Sequence, residues 1–230
     1  MTYPDVPAGL DIENSLTAQE VPRASQHRSD WLKRWVDLCI AIPALIVCGP
    51  VIVALCVWIY AKDRKSPVFG QKRYGKYGRV FSCYKLRTMV PNAAARLAEL
   101  LRSDAEAAYE WAMDYKLRND PRITPLGRFL RKTSLDELPQ LINVIRGDMS
   151  IVGPRPIVQD EIEKYGVWFA YYTQTRPGIT GLWQVSGRND VSYENRVALD
   201  ARYVREWSIW GDFAIMLRTL PLIVSRNGAY

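Results

Sequence analysis

Between Leu38 and Tyr60 the chain runs for 23 residues without a charged side chain. About 20 apolar residues in a helix are enough to cross the hydrocarbon core of a bilayer, so this stretch limits the folds open to the rest of the chain. Two details argue against a one-way crossing. Pro43 and the Gly49-Pro50 pair interrupt the stretch, and a proline in a helix removes a backbone hydrogen bond and bends the axis. Basic residues also stand on both flanks, Arg28, Lys33 and Arg34 before and Lys62, Arg64 and Lys65 after, whereas a crossing helix carries its excess of Lys and Arg on the cytoplasmic side. Symmetric flanks suit a helix that enters, bends at Gly49-Pro50 and returns to the same face. Trp31, Trp35, Trp58 and Tyr60 stand where aromatic side chains anchor at the interface. The expected element is a re-entrant membrane helix over residues 36–60.

The 230 residues carry a net charge of +7, so an anionic partner is expected, either a membrane surface or a phosphorylated substrate. Nucleic acid is disfavoured, because the basic residues belong to turns and membrane flanks rather than to a reader fold. His27 is the only histidine, which leaves little room for histidine general-base chemistry or a His-rich metal site. Cys39, Cys48, Cys56 and Cys83 form no C-x-x-C pair, so they read as small apolar side chains in a reducing compartment.

Residues 1–28 lack periodicity, carry Pro4, Pro7 and Pro22, and read as a disordered tail rather than a signal peptide. Residues 29–230 read as one membrane-associated domain. Residues 67–89 alternate aromatic and β-branched positions with glycines and predict a β-hairpin whose basic loop, with Lys72, Arg73, Lys76 and Arg79, is either solvated or meets anionic headgroups. Residues 92–117 and 157–168 each predict a single helix, and residues 207–223 an amphipathic one suited to an interface. The fold class is α+β, predominantly α: a re-entrant helix, amphipathic interfacial helices and a small hairpin. Asp200 is expected either to hold an arginine in place or to make a surface salt bridge.

The chemistry concentrates in Ser134-Leu135-Asp136-Glu137-Leu138-Pro139-Gln140, with Arg128, Arg131 and Lys132 just upstream. Adjacent carboxylates among bases suit a site that handles phosphate and a divalent cation: one carboxylate can attack phosphorus, and its neighbour can hold Mg²⁺. Ser134 and Glu137 equally fit the Ser-x-x-Glu capping box, and from the heptapeptide alone capping is the favoured explanation. Arg155 stands between prolines in Gly153-Pro154-Arg155-Pro156, a rigid turn that leaves it little entropy to lose on binding phosphate. Arg176 and Arg188 each sit beside glycines, where backbone can approach a ligand closely.

These segments occur in unbroken order with Leu141–Ser150, Arg176-Pro177-Gly178-Ile179-Thr180-Gly181 and Gly187-Arg188-Asn189. From Trp31 onward the chain resembles the bacterial sugar transferase family, monotopic phosphoglycosyl transferases that load a sugar-1-phosphate onto a polyprenyl phosphate, and it is most similar to the short exopolysaccharide-initiating members. The resemblance implies that Asp136 is the nucleophile on a UDP-sugar, with UDP-galactose or UDP-glucose favoured. UMP leaves, and undecaprenyl phosphate takes the phosphosugar from the aspartate. Glu137 would ligate Mg²⁺. Lys85, Arg87, Arg131, Arg155, Arg176 and Arg188 would meet substrate phosphates. Gly49 and Pro50 would form the membrane kink, with Gly49 where the family often has Ser. The implied location is the cytoplasmic face of the bacterial inner membrane. A metal-dependent glycosyltransferase is the rival enzyme, and the absence of any Asp-x-Asp counts against it. A non-catalytic adaptor bound to anionic lipid would explain the charge but not the ordered Gly, Pro and Arg motifs.

Overall fold

The computed structural model describes residues 26–114, 117, 119–187 and 191–224. Helix α1, Gln26–Asp63, is helical through both Pro43 and Pro50. Its end is set chemically: Arg64 takes the left-handed region at φ 56°, and the Asp63 carboxylate accepts the Lys65 N–H at 3.1 Å. A hairpin follows, β1 (Val68–Tyr74) antiparallel to β2 (Val80–Leu86). Helices α2 (Ala93–Ser103), α3 (Ala105–Asp114), α4 (Pro125–Lys132) and α5 (Gln140–Arg146) come next. The second half is built from β3 (Ser150–Val152), α6 (Ile162–Tyr165), α7 (Phe169–Tyr172), β4 (Gly178–Thr180), α8 (Leu182–Val185), α9 (Tyr193–Arg205) and α10 (Ile209–Val224).

Two sequence expectations need correction, and one element was not expected at all. The helix expected over 92–117 is two, because Asp104 leaves the helical region and its carboxylate accepts the N–H groups of Glu106 and Ala107 at 2.9 and 3.0 Å, starting α3 afresh. The helix expected over 157–168 is a chain of short turns around α6, with 3₁₀ turns at Gln159–Glu161 and Gly166–Trp168. Gly166 takes φ 49° and interrupts any longer helix. The short parallel pair β3–β4, Ser150 opposite Gly178 and Val152 opposite Thr180, was not foreseen. It explains Gly153 and Gly178, since a Cβ on Gly178 would stand 2.1 Å from the Gly153 nitrogen. The close approach there is backbone on backbone.

One stripe of α1 is packed against the protein. Ala41 joins Phe81, Cys83, Leu141, Val144 and Met149; Ile52, Leu55 and Ile59 join Leu86 and Leu130. The polar ends of the same stripe are also tied down. Lys33, buried, donates to Asp212 of α10 at 2.6 Å, and Asp212 also accepts from Tyr203 and Trp207. Asp37 accepts from the Ser150 hydroxyl and the Ile151 N–H, both at 2.9 Å. Arg34 caps the carboxyl end of α5 through the carbonyls of Val144 and Ile145. At the far end Asp63 makes a two-point pair with Arg87, 2.6 Å on each limb.

The other faces of α1 are apolar and bare: Trp31, Trp35, Ile42, Ile46, Val47, Val53, Val57 and Trp58 are all exposed. It is the one helix among the described residues with the length and composition to cross a membrane, and only 17% of its most apolar window is buried. Helix α10 repeats the pattern on a smaller scale, with Asp212 and Ile215 inward and Trp210, Leu217 and Leu220 exposed. The basic hairpin loop is less free than expected. Arg73 donates to the Pro156 carbonyl at 2.7 Å, and Lys76 pairs with Asp30 at the start of α1. Lys72 remains exposed on the strand.

Candidate active site

The heptapeptide that carries the acids is shaped by the elements on either side. Thr124 caps α4 by accepting the Gly127 N–H at 2.9 Å, with Pro125 in the first turn. Gly127 lies directly on the Thr88 backbone, where a Cβ would stand 2.0 Å from the Thr88 oxygen. This contact sets α4 against the strand end and brings Arg131, whose Nε donates to the Thr88 hydroxyl at 3.0 Å. After α4 the chain reverses at Ser134, which takes φ 55° and makes no capping bond. The capping-box reading of Ser134 and Glu137 is therefore wrong. The left-handed residue uses up the geometry that a helix start requires, and Leu135–Glu137 forms a 3₁₀ turn instead.

That turn separates two chemistries. Leu135 and Leu138 pack with Leu86, Leu130 and the Ile52–Ile59 stripe of α1. Asp136 and Glu137 meet the charge carried by β2. Lys85 Nζ donates to Glu137 Oε1 at 2.6 Å, and both side chains remain about one-third exposed, at 33% and 37%. Asp136 is only 7% exposed. Burial pushes its carboxyl up to about 6; the Lys85 charge opposes this, the Glu137 charge adds to it, and Arg131 opposes it in turn. The result is a nearly enclosed carboxylate with two cations near it and a second, more open carboxylate beside it.

Asn143, which the sequence reading passed over inside the motif, holds this arrangement in register. It is fully buried. Its Oδ1 accepts the Tyr84 N–H at 2.9 Å, and its Nδ2 donates to the Ser82 carbonyl at 2.8 Å and to Asp148 at 3.2 Å. The side chain thus behaves as one residue of a third strand beside β2. This fixes α5, and the turn before it, against Lys85. A buried Asn in an otherwise apolar helix face was the available signal.

The structure brings Asp136, Glu137, Lys85 and Arg131 together. Arg87 lies elsewhere, paired with Asp63 at the end of α1. Arg176 donates to the Gly147 carbonyl at 3.0 Å, beneath the end of α5. Arg155 lies with its guanidinium 5.7 Å from the Trp183 ring. Gly49 and Pro50 belong to α1, and nothing stands within 4 Å of where a Gly49 Cβ would be. Arg188 lies outside the described residues. Asp200 makes no surface salt bridge: it is 1% exposed, and its Oδ2 accepts the Tyr165 hydroxyl at 2.7 Å. Burial pushes its carboxyl up to about 7 against the favourable contacts of Tyr165, the Arg155 backbone and the Arg196 charge.

No group of three or more metal-ligating side chains occurs among the described residues. A two-carboxylate site still suits Mg²⁺, which usually takes one or two protein carboxylates and completes its shell with water and substrate phosphates. Glu137, the more open of the pair, fits that part.

The profile of the family described as Bacterial sugar transferase matches residues 28–226, and the chain belongs to that family. The chain is 50% identical over 206 residues to the UDP-galactose-lipid carrier transferase of Erwinia amylovora, covering 90% of this chain and 43% of that protein. It is 50% identical over 221 residues to the undecaprenyl-phosphate galactose phosphotransferase of Salmonella typhimurium, 96% of this chain and 44% of the relative. The exopolysaccharide production protein ExoY of Sinorhizobium fredii is 48% identical over 198 residues, 86% of this chain and 88% of ExoY. The chain therefore spans less than half the length of the first two relatives and most of the third.

Proposed function

We propose that this protein transfers a sugar-1-phosphate from a UDP-sugar to undecaprenyl phosphate through a covalent phosphosugar-aspartate, as a first membrane step of exopolysaccharide synthesis. The observation that carries the reading is the Asp136 carboxylate, buried next to the Glu137–Lys85 ion pair on a body that also holds a bare apolar helix. In the first half-reaction an Asp136 oxygen bonds to the β-phosphorus as the bond from that phosphorus to the bridging oxygen breaks, and UMP leaves with the electron pair. In the second, a phosphate oxygen of the lipid bonds to the same phosphorus and the Asp136 carboxylate is released. No proton need move in either step. Lys85 and Arg131 balance charge that spreads onto the phosphoryl oxygens. Mg²⁺ held by Glu137 would supply further neutralisation of the diphosphate. Burial of Asp136 keeps water from an acyl-phosphate that it would hydrolyse. UDP-galactose and UDP-glucose are the favoured donors, the first by analogy with the Erwinia amylovora relative and the second with the UDP-glucose:undecaprenyl-phosphate glucose-1-phosphate transferase of Escherichia coli, 36% identical over 207 residues.

The test is made without acceptor. Mixing the protein with UDP-sugar alone should release about one UMP per active site and leave a hexose-phosphate mass on the peptide that contains Asp136. UDP as the released nucleotide would revive the glycosyltransferase reading. No nucleotide until lipid is added would mean direct transfer.

The ionisation of Asp136 gives a second test. Its carboxylate must be charged to attack, so UMP release should fall below pH ~6, about tenfold per further unit once well below it. Because the Lys85 charge lowers the Asp136 pKa, Lys85→Met should move this acid limb to higher pH. A limb that stays in place would assign it to another group.

The same proposal includes a re-entrant topology at the cytoplasmic face of the inner membrane. Its support is that both ends of α1 are tied to one polar body, Lys33 to Asp212 at one end and Asp63 to Arg87 at the other, while its bare faces match lipid. Cysteines introduced at Ser66 and within residues 1–25 should both be labelled only from the cytoplasmic side. Labelling of the N-terminal site from the periplasm would establish a crossing helix.

A further inference from the structure

Polar atoms that are buried without a partner are rare in folded proteins and call for an explanation. Among the described residues there are six on side chains, and four of them belong to Trp183 (Nε1), Tyr193 (hydroxyl), Arg196 (Nε) and Asp200 (Oδ1). These residues are neighbours. The Arg196 guanidinium lies 4.3 Å from the Trp183 ring centre and 5.7 Å from that of Tyr193. The Tyr193 ring stands 6.2 Å from Tyr165, whose hydroxyl donates to Asp200. Arg155 shares the Trp183 ring with Arg196, at 5.7 Å.

The charges at this place do not balance. Among the described residues, neither the Arg155 nor the Arg196 guanidinium has a hydrogen-bonded or ion-paired acceptor. Arg73, nearby, is already matched to Glu161 and the Pro156 carbonyl. Asp200, the buried acid nearby, spends its Oδ2 on the Tyr165 hydroxyl and makes no ion pair with either arginine among the described residues. Burial and the Arg155 charge both push the Arg196 pKa down, the mark of two like charges held together. Stacking on Trp183 and Tyr193 orders the guanidinium planes while leaving hydrogen-bond donors unspent. An ordered, unpaired arginine pair beside the orphaned Trp183 and Tyr193 donors is what an anion completes, whereas the orphaned Asp200 Oδ1 is an acceptor and takes no part in it.

We propose that Arg196, together with Arg155, forms the site that grips the nucleotide phosphate of the UDP-sugar, with Arg196 as a substrate-binding residue. The assignment rests on the reading of Asp136 as the reaction centre. Position supports the nucleotide over the lipid phosphate. None of the clustered residues belongs to α1 or α10, whose bare apolar faces mark the lipid side. Arg196 also lies seven residues, roughly 10 Å of helix, from Tyr203, where α9 meets Lys33 of α1. The cluster is nevertheless tied to the reaction centre through the β1–β2 hairpin. Arg73 of β1 donates to the Pro156 carbonyl, next to Arg155, and β1 pairs with β2, whose Lys85 holds Glu137. A donor whose β-phosphate is at Asp136 must place its nucleotide beyond that centre, and this is the positively charged ground next to it.

The experiment measures UMP and undecaprenyl phosphate binding separately, by calorimetry on the full chain in detergent, in the Asp136→Asn background so that no turnover intervenes. Adding Arg196→Gln should weaken UMP about tenfold or more, about 1.4 kcal/mol, and leave undecaprenyl phosphate unchanged. Uridine without phosphate should lose nothing. Weakened lipid binding with intact UMP binding would give the site to the acceptor and overturn the proposal. Unchanged affinity for both would make Arg196 a structural stack on Trp183, which also overturns it. If Arg196→Gln loses its cooperative thermal transition, Arg196→Lys is read in the same way, since it keeps the charge but not the two-pronged donor. UMP binding needs no covalent step, so failure to find the Asp136 adduct would leave this result standing.

Discussion

Asp136→Asn should abolish the acceptor-free release of UMP, by a factor of at least ~10³, together with the hexose-phosphate adduct. A neutral amide has the size of the carboxylate but cannot attack phosphorus. The fold should survive the change, and the direction of the pKa shift says why. The folded protein holds the Asp136 carboxyl at about 6, above the ordinary carboxylate range. Its ionised form is therefore disfavoured by folding, and stability falls as pH rises from that ordinary range through about 6. The amide removes the burden, so at pH 7 the Asp136→Asn protein should unfold at the same temperature as wild type or higher. A variant that lost both activity and its thermal transition would place Asp136 in the framework of the fold instead. Glu137→Gln should slow UMP release as well, with part of the loss recovered at higher Mg²⁺ if its role is ligation. Hexose-phosphate found on Glu137 would exchange the two roles.

Arg131→Ala should lower turnover by about 10²–10³, whereas Lys72→Ala should change it by less than about threefold. Both remove one positive charge, so net charge cannot explain a difference. Arg131 is held by Thr88 and its charge acts on the Asp136 carboxyl; Lys72 is exposed and reaches only the Ser82 hydroxyl. Preorganised charge in a water-poor site is worth far more than a solvated charge at the rim. The comparison is best made on UMP release without acceptor, where weakened membrane association has least influence. Equal losses from the two variants would mean that generic basicity, rather than placement at Asp136, sustains the reaction.

Much of this protein was legible in one dimension because the relevant physics is local. The uncharged run Leu38–Tyr60 had to become a long helix with an apolar surface, whatever surrounded it. The alternating hairpin segment formed β1 and β2, and the adjacent acids Asp136 and Glu137 marked the centre where Lys85 and Arg131 converge. What failed was also local in cause. Ser134 fitted a helix cap by residue type, yet the turn between two packed leucines demanded a left-handed residue there. Asp104 divided a helix that composition alone would have continued.

Tertiary structure alone decided which charges are free. Arg87, Arg176, Arg155 and Arg131 look alike in the sequence, but whether a guanidinium pairs with Asp63, caps α5, stacks on Trp183 or bonds to Thr88 depends on elements up to tens of residues away. The same holds for burial: Asp136, Asp200 and Asp212 are ordinary carboxylates until folding removes their water. The sequence by itself determined which chemical groups are present and which segments must avoid water. Folding determined which of those groups lost their solvent and which found a partner, because desolvation and ion pairing act between residues that only the folded chain brings into contact.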